Sequence, residues 1–245
     1  MPTHFCHVVI DAADAGASAR WWSEALGWPV TFEEPDEVVI EPPEADGVGF
    51  PLVFGPVPEP KRGKNRVHLD LRSASDAEQA DLVERLVRQG ANPADIGQRD
   101  TPWVVLADPE GNEFCVLDPR EFYTATDTGA IAAIVVDAVD PPALARFWAE
   151  ATGWDLARSS AAIASLRDPA GTGPFIEFVH VAEPNPVKNR LHLDVAPFAG
   201  GDQAAEVAQL LSLGATPADV GQTGAESWTV LADPEGDEFC VLSPR

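Results

Sequence analysis

Apolar and polar positions alternate with two periods along this chain, and the whole pattern comes round again. Phe5 to Asp11 reads as a short strand. Asp14 then stands where a helix N-cap belongs, ahead of a helix through Leu26 that Gly27 stops. Short strands follow, broken by Pro and Gly, of which Leu52 to Phe54 is the clearest. From Arg66 to Leu71, apolar Val67, Leu69 and Leu71 alternate with Arg66, His68 and Asp70, the period of a half-buried strand. Ala77 to Gln89 places Leu82, Val83, Leu86 and Val87 on one helical face, with Gly90 as the stop. Two more strands flank Asp108-Pro109-Glu110-Gly111, whose Pro and Gly fit a tight reversal. The predicted order is β-α-β-β-β, twice in each half and so four times in the chain.

The halves repeat each other residue by residue. Lys64-Asn65-Arg66-Val67-His68-Leu69-Asp70 returns as Lys188-Asn189-Arg190-Leu191-His192-Leu193-Asp194. Trp103 to Leu117 (WVVLADPEGNEFCVL) returns as Trp228 to Leu242 (WTVLADPEGDEFCVL), with a drift of one residue between the two matches. A repeat this long is a duplicated domain and not a solenoid unit. It predicts a first domain over 1–120, a polar linker over 121–129 and a second domain over 130–245.

Charge narrows the partners. Forty acidic residues face 16 basic ones, a net charge of −24, which would repel nucleic acid and anionic lipid. Neither is expected as a partner; a small molecule is. No apolar run approaches the roughly 20 residues needed to cross a bilayer, and no secretory signal is visible at the N-terminus. Cys6, Cys115 and Cys240 form no CxxC pair, which argues for a reducing cytoplasm over a disulfide framework. The densest basic stretch, Lys61 to Arg66, is too short for a nucleic-acid surface. It is expected to counter the local acidic field or to touch a carboxylate ligand.

Two motifs carry a family resemblance. Arg20-Trp21-Trp22 through Leu26-Gly27-Trp28 resembles the "FY…LG" helix of the glyoxalase/bleomycin-resistance/extradiol-dioxygenase (vicinal oxygen chelate) superfamily. Asp108-Pro109-Glu110-Gly111-Asn112 resembles its "DPxGN" turn. The resemblance covers essentially the whole chain. It implies an α+β fold of two tandem vicinal-oxygen-chelate domains, each of paired βαβββ modules whose mixed sheet curls into a cup with flanking helices. It does not settle function, because the superfamily hosts lyases, isomerases, dioxygenases, transferases and drug-binding proteins.

The resemblance also implies where a metal would sit: on side chains of the first, fourth, fifth and eighth strands. Carried over by position, these are His7, Glu177, the pair His68 and His192, and the pair Cys115 and Cys240. There are departures. Ala133 stands where a second first-strand His would be, Val53 stands opposite Glu177, and Cys replaces the eighth-strand Glu in both copies. If modules pair within a domain, the sets are His7, His68, Cys115 and Glu177, His192, Cys240. If modules exchange between domains, they are His7, His192, Cys240 and Glu177, His68, Cys115. Either leaves three donors and an open position, and imidazole with thiolate and carboxylate favours zinc among divalent ions.

A second group comes from strand alternation. Arg66, His68 and Asp70 share one face, as do Arg190, His192 and Asp194. The histidines are candidate catalytic acids or bases, and the Arg and Asp residues candidate substrate contacts. Trp103 and Trp228 open the seventh strand of each copy and would add an aromatic wall if they face the cup. Trp21, Trp22, Phe147 and Trp148 are expected in the core, His4 and His180 at the surface. Two functions stand: a metal-dependent glyoxalase-type lyase or isomerase on a small oxygenated substrate, and a metal-free protein that sequesters a drug or metabolite, as in the bleomycin-resistance branch.

Overall fold

Local sequence signals bound the first two helices close to where they were expected. The computed structural model describes residues 3–43, 49–98, 100–183 and 187–245. The first module is β1 (Thr3–Ala12), α1 (Ala15–Leu26), β2 (Val30–Glu34), β3 (Glu37–Ile40) and β4 (Leu52–Pro56). The Asp14 carboxylate accepts from Ala17 N at the start of α1, and Gly27 ends it in the left-handed region at φ 71°. The second module is β5 (Val67–Leu71), α2 (Asp76–Arg88), β6 (Asn92–Pro93), β7 (Val104–Ala107) and β8 (Glu113–Val116). A one-turn helix, α3 (Glu121–Thr124), follows.

The second half repeats this order with β9 (Ile131–Ala138), α4 (Pro141–Thr152), β10 (Asp155–Ser159), β11 (Ile163–Arg167) and β12 (Phe175–His180). It closes with β13 (Leu191–Pro197), α5 (Gln203–Ser212), β14 (Thr216–Pro217), β15 (Thr229–Ala232) and β16 (Glu238–Val241). The βαβββ unit thus occurs four times, as the residue pattern predicts. Of the face expected on α2, only Leu86 is buried, while Val87 is 41% exposed.

The modules exchange between halves. One eight-stranded sheet runs β14-β15-β16-β13-β1-β4-β3-β2, and the other β10-β11-β12-β9-β5-β8-β7-β6. Their seams are antiparallel: β1 on β13 brings His7 opposite Asp194, and β5 on β9 brings His68 opposite Val135. Each sheet therefore takes one module from each half, as in the exchanged alternative, which sets β1 beside β13 and β5 beside β9. Within each module the helix crosses from the first strand to the outermost one, and the chain returns so that the first and last strands are parallel neighbours, β1 with β4 and β5 with β8.

One apolar core runs through both sheets and under the helices. Trp22 and Trp148 are among its largest side chains, with Trp21 and Phe147 beside them. Each deep indole N–H donates to a turn carboxylate, Trp22 to Asp108 and Trp148 to Asp233, both at 3.0 Å. The helix motif and the turn motif are thus bonded to each other. Burial of an indole with its N–H satisfied is what makes Trp tolerable at such depth.

Candidate functional site

Period-two alternation divides each strand between core and cup. On β1, Val8 and Ile10 enter the core, while His7, Val9 and Asp11 line the cup of the first sheet. On β13, Leu191, Leu193 and Val195 enter the core and leave His192 and Asp194 to the cup. The same rule turns Phe114 and Val116 inward on β8, so Cys115 lies with the cup-side residues. On β16, Cys240 lines the open cup beside Asp194.

The first cup is open, with a cavity of about 780 Å³. On its floor, Asp194 joins two imidazoles. His7 Nε2 is 3.0 Å from Oδ2, and His192 Nε2 is 3.4 Å from Oδ1. The Cys240 thiol lies 3.7 Å from His192 Nε2. Asp194 is 4% exposed, and its Oδ1 has no hydrogen-bond partner among the described residues. Burial, reinforced by the Asp194 charge, pushes the Cys240 thiol well up, so it is protonated at neutral pH without a cation. The nitrogen, oxygen and sulfur atoms of His192, Asp194 and Cys240 lie within 4.8 Å of one another, and such a set suits a borderline-soft divalent ion. Val53, from β4, adds only an apolar wall.

The second cup repeats the group as His68, Asp70 and Cys115, again with an orphaned Asp70 Oδ1. It has no His at Ala133, and it is filled. Tyr123, from α3, is buried with Cys115, Leu117, Ala133, Val135 and Phe175. Its hydroxyl donates to Glu177 Oε2 at 2.9 Å, while Arg158 and Ser165 donate to Oε1 at 2.7 and 3.0 Å. Burial raises the pKa of Glu177 against the pull of Arg158. Glu177 is therefore held by Tyr123, Arg158 and Ser165, and it lies outside the His68 group. Sequence reading passed over Tyr123 and gave Asp194 a lesser role. The signal for Tyr123 was a lone aromatic pair, Phe122-Tyr123, in an otherwise polar stretch.

The matching arginines leave the cup face. Arg66 reaches the turn of the other half, with its guanidinium 2.8 Å from Asp237 and bonded to the Glu235 carbonyl. Arg190 donates to the Glu59 carbonyl and lies 3.4 Å from Glu110. Glu110 and Glu235 in turn accept from backbone N–H groups ahead of α1 and α4. The lysines do counter carboxylates: Lys61 meets Glu113 at 2.9 Å, Lys64 meets Asp137 at 2.6 Å, and Lys188 pairs with Asp11. Trp228 lines the first cup at 42% exposure, whereas Trp103 carries the Arg120 guanidinium 5.1 Å above its ring. His180 is exposed, but His4 is not at the free surface as expected: it is half-buried and stacked on Phe198, with centroids 4.5 Å apart. A larger cleft of about 1000 Å³ between α1, α2 and residues 127–130 holds none of the repeated donors.

A family model for the glyoxalase-like domain matches residues 7–117 and again 133–242. The chain belongs to the glyoxalase-like family. No curated protein matches its sequence. Among solved structures, glyoxalase I from Zea mays is similar, with 16% identity and a TM-score of 0.67 over 98% of this chain and 92% of that one. A putative dioxygenase from Bacillus subtilis gives 12% identity and a TM-score of 0.62 over 99% of this chain and 86% of that one. At such identity the likeness is one of fold. The two glyoxalase-like halves thus build one open cup and one filled cup from nearly the same residues.

Proposed function

We propose that this glyoxalase-like chain works at the open cup, as a divalent-metal-dependent lyase or isomerase on a small oxygenated substrate. His192, Asp194 and Cys240 would hold the ion, with His7 completing or releasing the set. The observation that carries this reading is the buried Asp194 Oδ1, which has His192 Nε2 at 3.4 Å and the Cys240 thiol in the same group but no hydrogen bond among the described residues. A buried carboxylate oxygen left without a partner is costly, and a cation removes that cost. Bound there, zinc would supply Lewis acidity to a substrate oxygen. The chain's own residues would do the rest: Val9, Val53 and Val230 exclude water from the floor, and His7, bonded to Asp194, can take or return a proton. Elemental analysis of protein purified without chelator or affinity tag tests this. The expected result is close to one zinc per chain, lost in Asp194→Asn and His192→Ala. Less than about 0.1 metal per chain after zinc loading would end the metal reading.

The second reading is a metal-free binding protein for a drug or metabolite. It is favoured by the raised thiol pKa of Cys240 and by the His7–Asp194 bond, which already satisfies one carboxylate oxygen. Quenching of Trp fluorescence by a ligand in metal-free protein would support it.

A further inference from the structure

The two cups differ most at their rims, and the filled one shows what the open one lacks. In the second cup the Arg120 guanidinium covers the face of Trp103, and Arg158 covers Phe122 at 4.5 Å. The segment after β8 thus puts a cation and two aromatic rings into that cup, and the cup accepts them. Trp228 is the counterpart of Trp103. Among the described residues no guanidinium or ring lies on it, and it is 42% exposed on the wall of the cavity. Arg245, the counterpart of Arg120, also lines the open cup, where its charge acts on His4 and Cys6 and its guanidinium does not cover Trp228.

The charge around this free indole is predominantly negative. Seven of the described side chains lining the open cup are carboxylates, against Lys188, Arg245 and the imidazoles of His7 and His192. Lys188 is already bound to Asp11 and lies 3.8 Å from Glu59. Among the described residues Glu238 has no cation partner, whereas its counterpart Glu113 has Lys61 at 2.9 Å. Deeper in, Asp194 Oδ1 lacks a hydrogen bond among the described residues, with His192 Nε2 3.4 Å away, and adds a further carboxylate oxygen. Low-dielectric walls carrying charges of one sign concentrate the opposite charge in a cleft and repel like charge. An exposed indole face adds attraction for a cation and contact area for a flat ring.

We propose that the open cup takes an organic cation with a flat aromatic body. Its ring stacks on Trp228, and its positive charge lies among Glu37, Glu226 and Glu238. Anionic conjugates and phosphorylated ligands are rejected. The Arg120–Trp103 pair is the intramolecular counterpart of this contact. The inference rests on the open cup being a ligand site, as in the functional reading above, but not on the metal.

The test uses proflavine, a planar aromatic cation, and 8-anilinonaphthalene-1-sulfonate, an aromatic anion, titrated into the full chain with and without zinc. Proflavine should saturate a single site, and the anion should bind at least roughly tenfold more weakly. Trp228→Ala should weaken proflavine by roughly tenfold or more, and Glu238→Gln should weaken it less. Trp103→Ala, under its guanidinium cover, should leave the affinity unchanged. Equal affinity in Trp228→Ala and the parent would mean that the dye answers only to net charge, and would overturn the proposal. So would an anion that binds as tightly as the cation. Asp194→Asn separates the two readings. It should lose zinc and keep proflavine; a parent that holds less than about 0.1 zinc per chain yet binds proflavine through Trp228 would count against the metal alone, while a Trp228-independent dye in zinc-replete protein would count against the cation site alone.

Discussion

His7 and Asp194 stand 187 positions apart in the chain and 3.0 Å apart in the fold. Their contact crosses the β1–β13 seam, so the floor of the open cup exists only because the two halves exchange modules. Neither half alone contains a complete cup.

That dependence predicts what an isolated half does. Residues 1–120 without the rest leave β1 and β5 as bare edges with apolar inner faces, the arrangement that templates association. The expected outcome is a self-associated or aggregated product by sedimentation, and recovery of a compact one-to-one complex on co-expression with residues 130–245. A stable monomer of 1–120 with a cooperative unfolding transition would contradict the exchanged pairing.

Much of this fold was legible because local signals act locally. Asp14 and Gly27 bound α1 whatever lies beyond, and alternation assigns Cys115 to one face of β8 without knowledge of its neighbours. Pairing is different. Exchanged and unexchanged sheets satisfy the same alternation in every strand, so the partner of β1 could not be read from β1. The role of Asp194 stayed hidden for the same reason, since its bond to His7 follows from the seam. Arg66 shows another limit. Alternation places it with His68 and Asp70, but it stands just ahead of β5, and its long side chain can turn to a neighbouring element.

Tyr123 offers a direct measure of what fills the second cup. Tyr123→Phe keeps the ring and removes only the donor to the buried Glu177 carboxylate, which should cost about 1–3 kcal/mol. Tyr123→Ala also removes a buried ring and should cost about 3–5 kcal/mol. Urea unfolding of both variants checks this. Equal losses in the two would mean that the hydroxyl matters as much as the whole ring, against the packing described.

The two crossed arginines should differ in weight. Both guanidinium groups are 6% exposed, but Asp237 is 4% exposed and Glu110 19%. Arg66→Ala leaves a carboxylate buried against a second one, Asp233, both already pushed up by burial. The expected cost is about 3–5 kcal/mol, as for other broken buried pairs. Arg190→Ala leaves a carboxylate that water and two backbone N–H groups still reach, and should cost about 1–2 kcal/mol. Denaturation midpoints in urea give the order directly, and a larger loss in Arg190→Ala would reverse the argument.

Acid should loosen the rim of the open cup in a defined window. The Thr223 backbone N–H bonds the Glu226 carboxylate at 2.8 Å, with the Thr223 hydroxyl at 2.9 Å and Gly224 N–H at 2.7 Å. These donors favour the ionised form and hold the pKa down at about 2, against an ordinary value of 4.5. The folded pKa lies below the unfolded one. The loop's stabilisation is therefore fully present above the ordinary value and is lost as pH falls through about 2. Because Glu226 sits in a surface loop and bonds only within it, the effect belongs to the loop and not to global stability. Amide shifts of Thr223 and Gly224, followed by NMR on acidification, should move together with a midpoint near 2, and Glu226→Gln should abolish that transition. Trp228, two residues on, should report the same loosening in its emission. A midpoint at the ordinary carboxylate value would show that the three donors do not converge on Glu226 in solution, and would leave the acidic rim beside Trp228 without a fixed position.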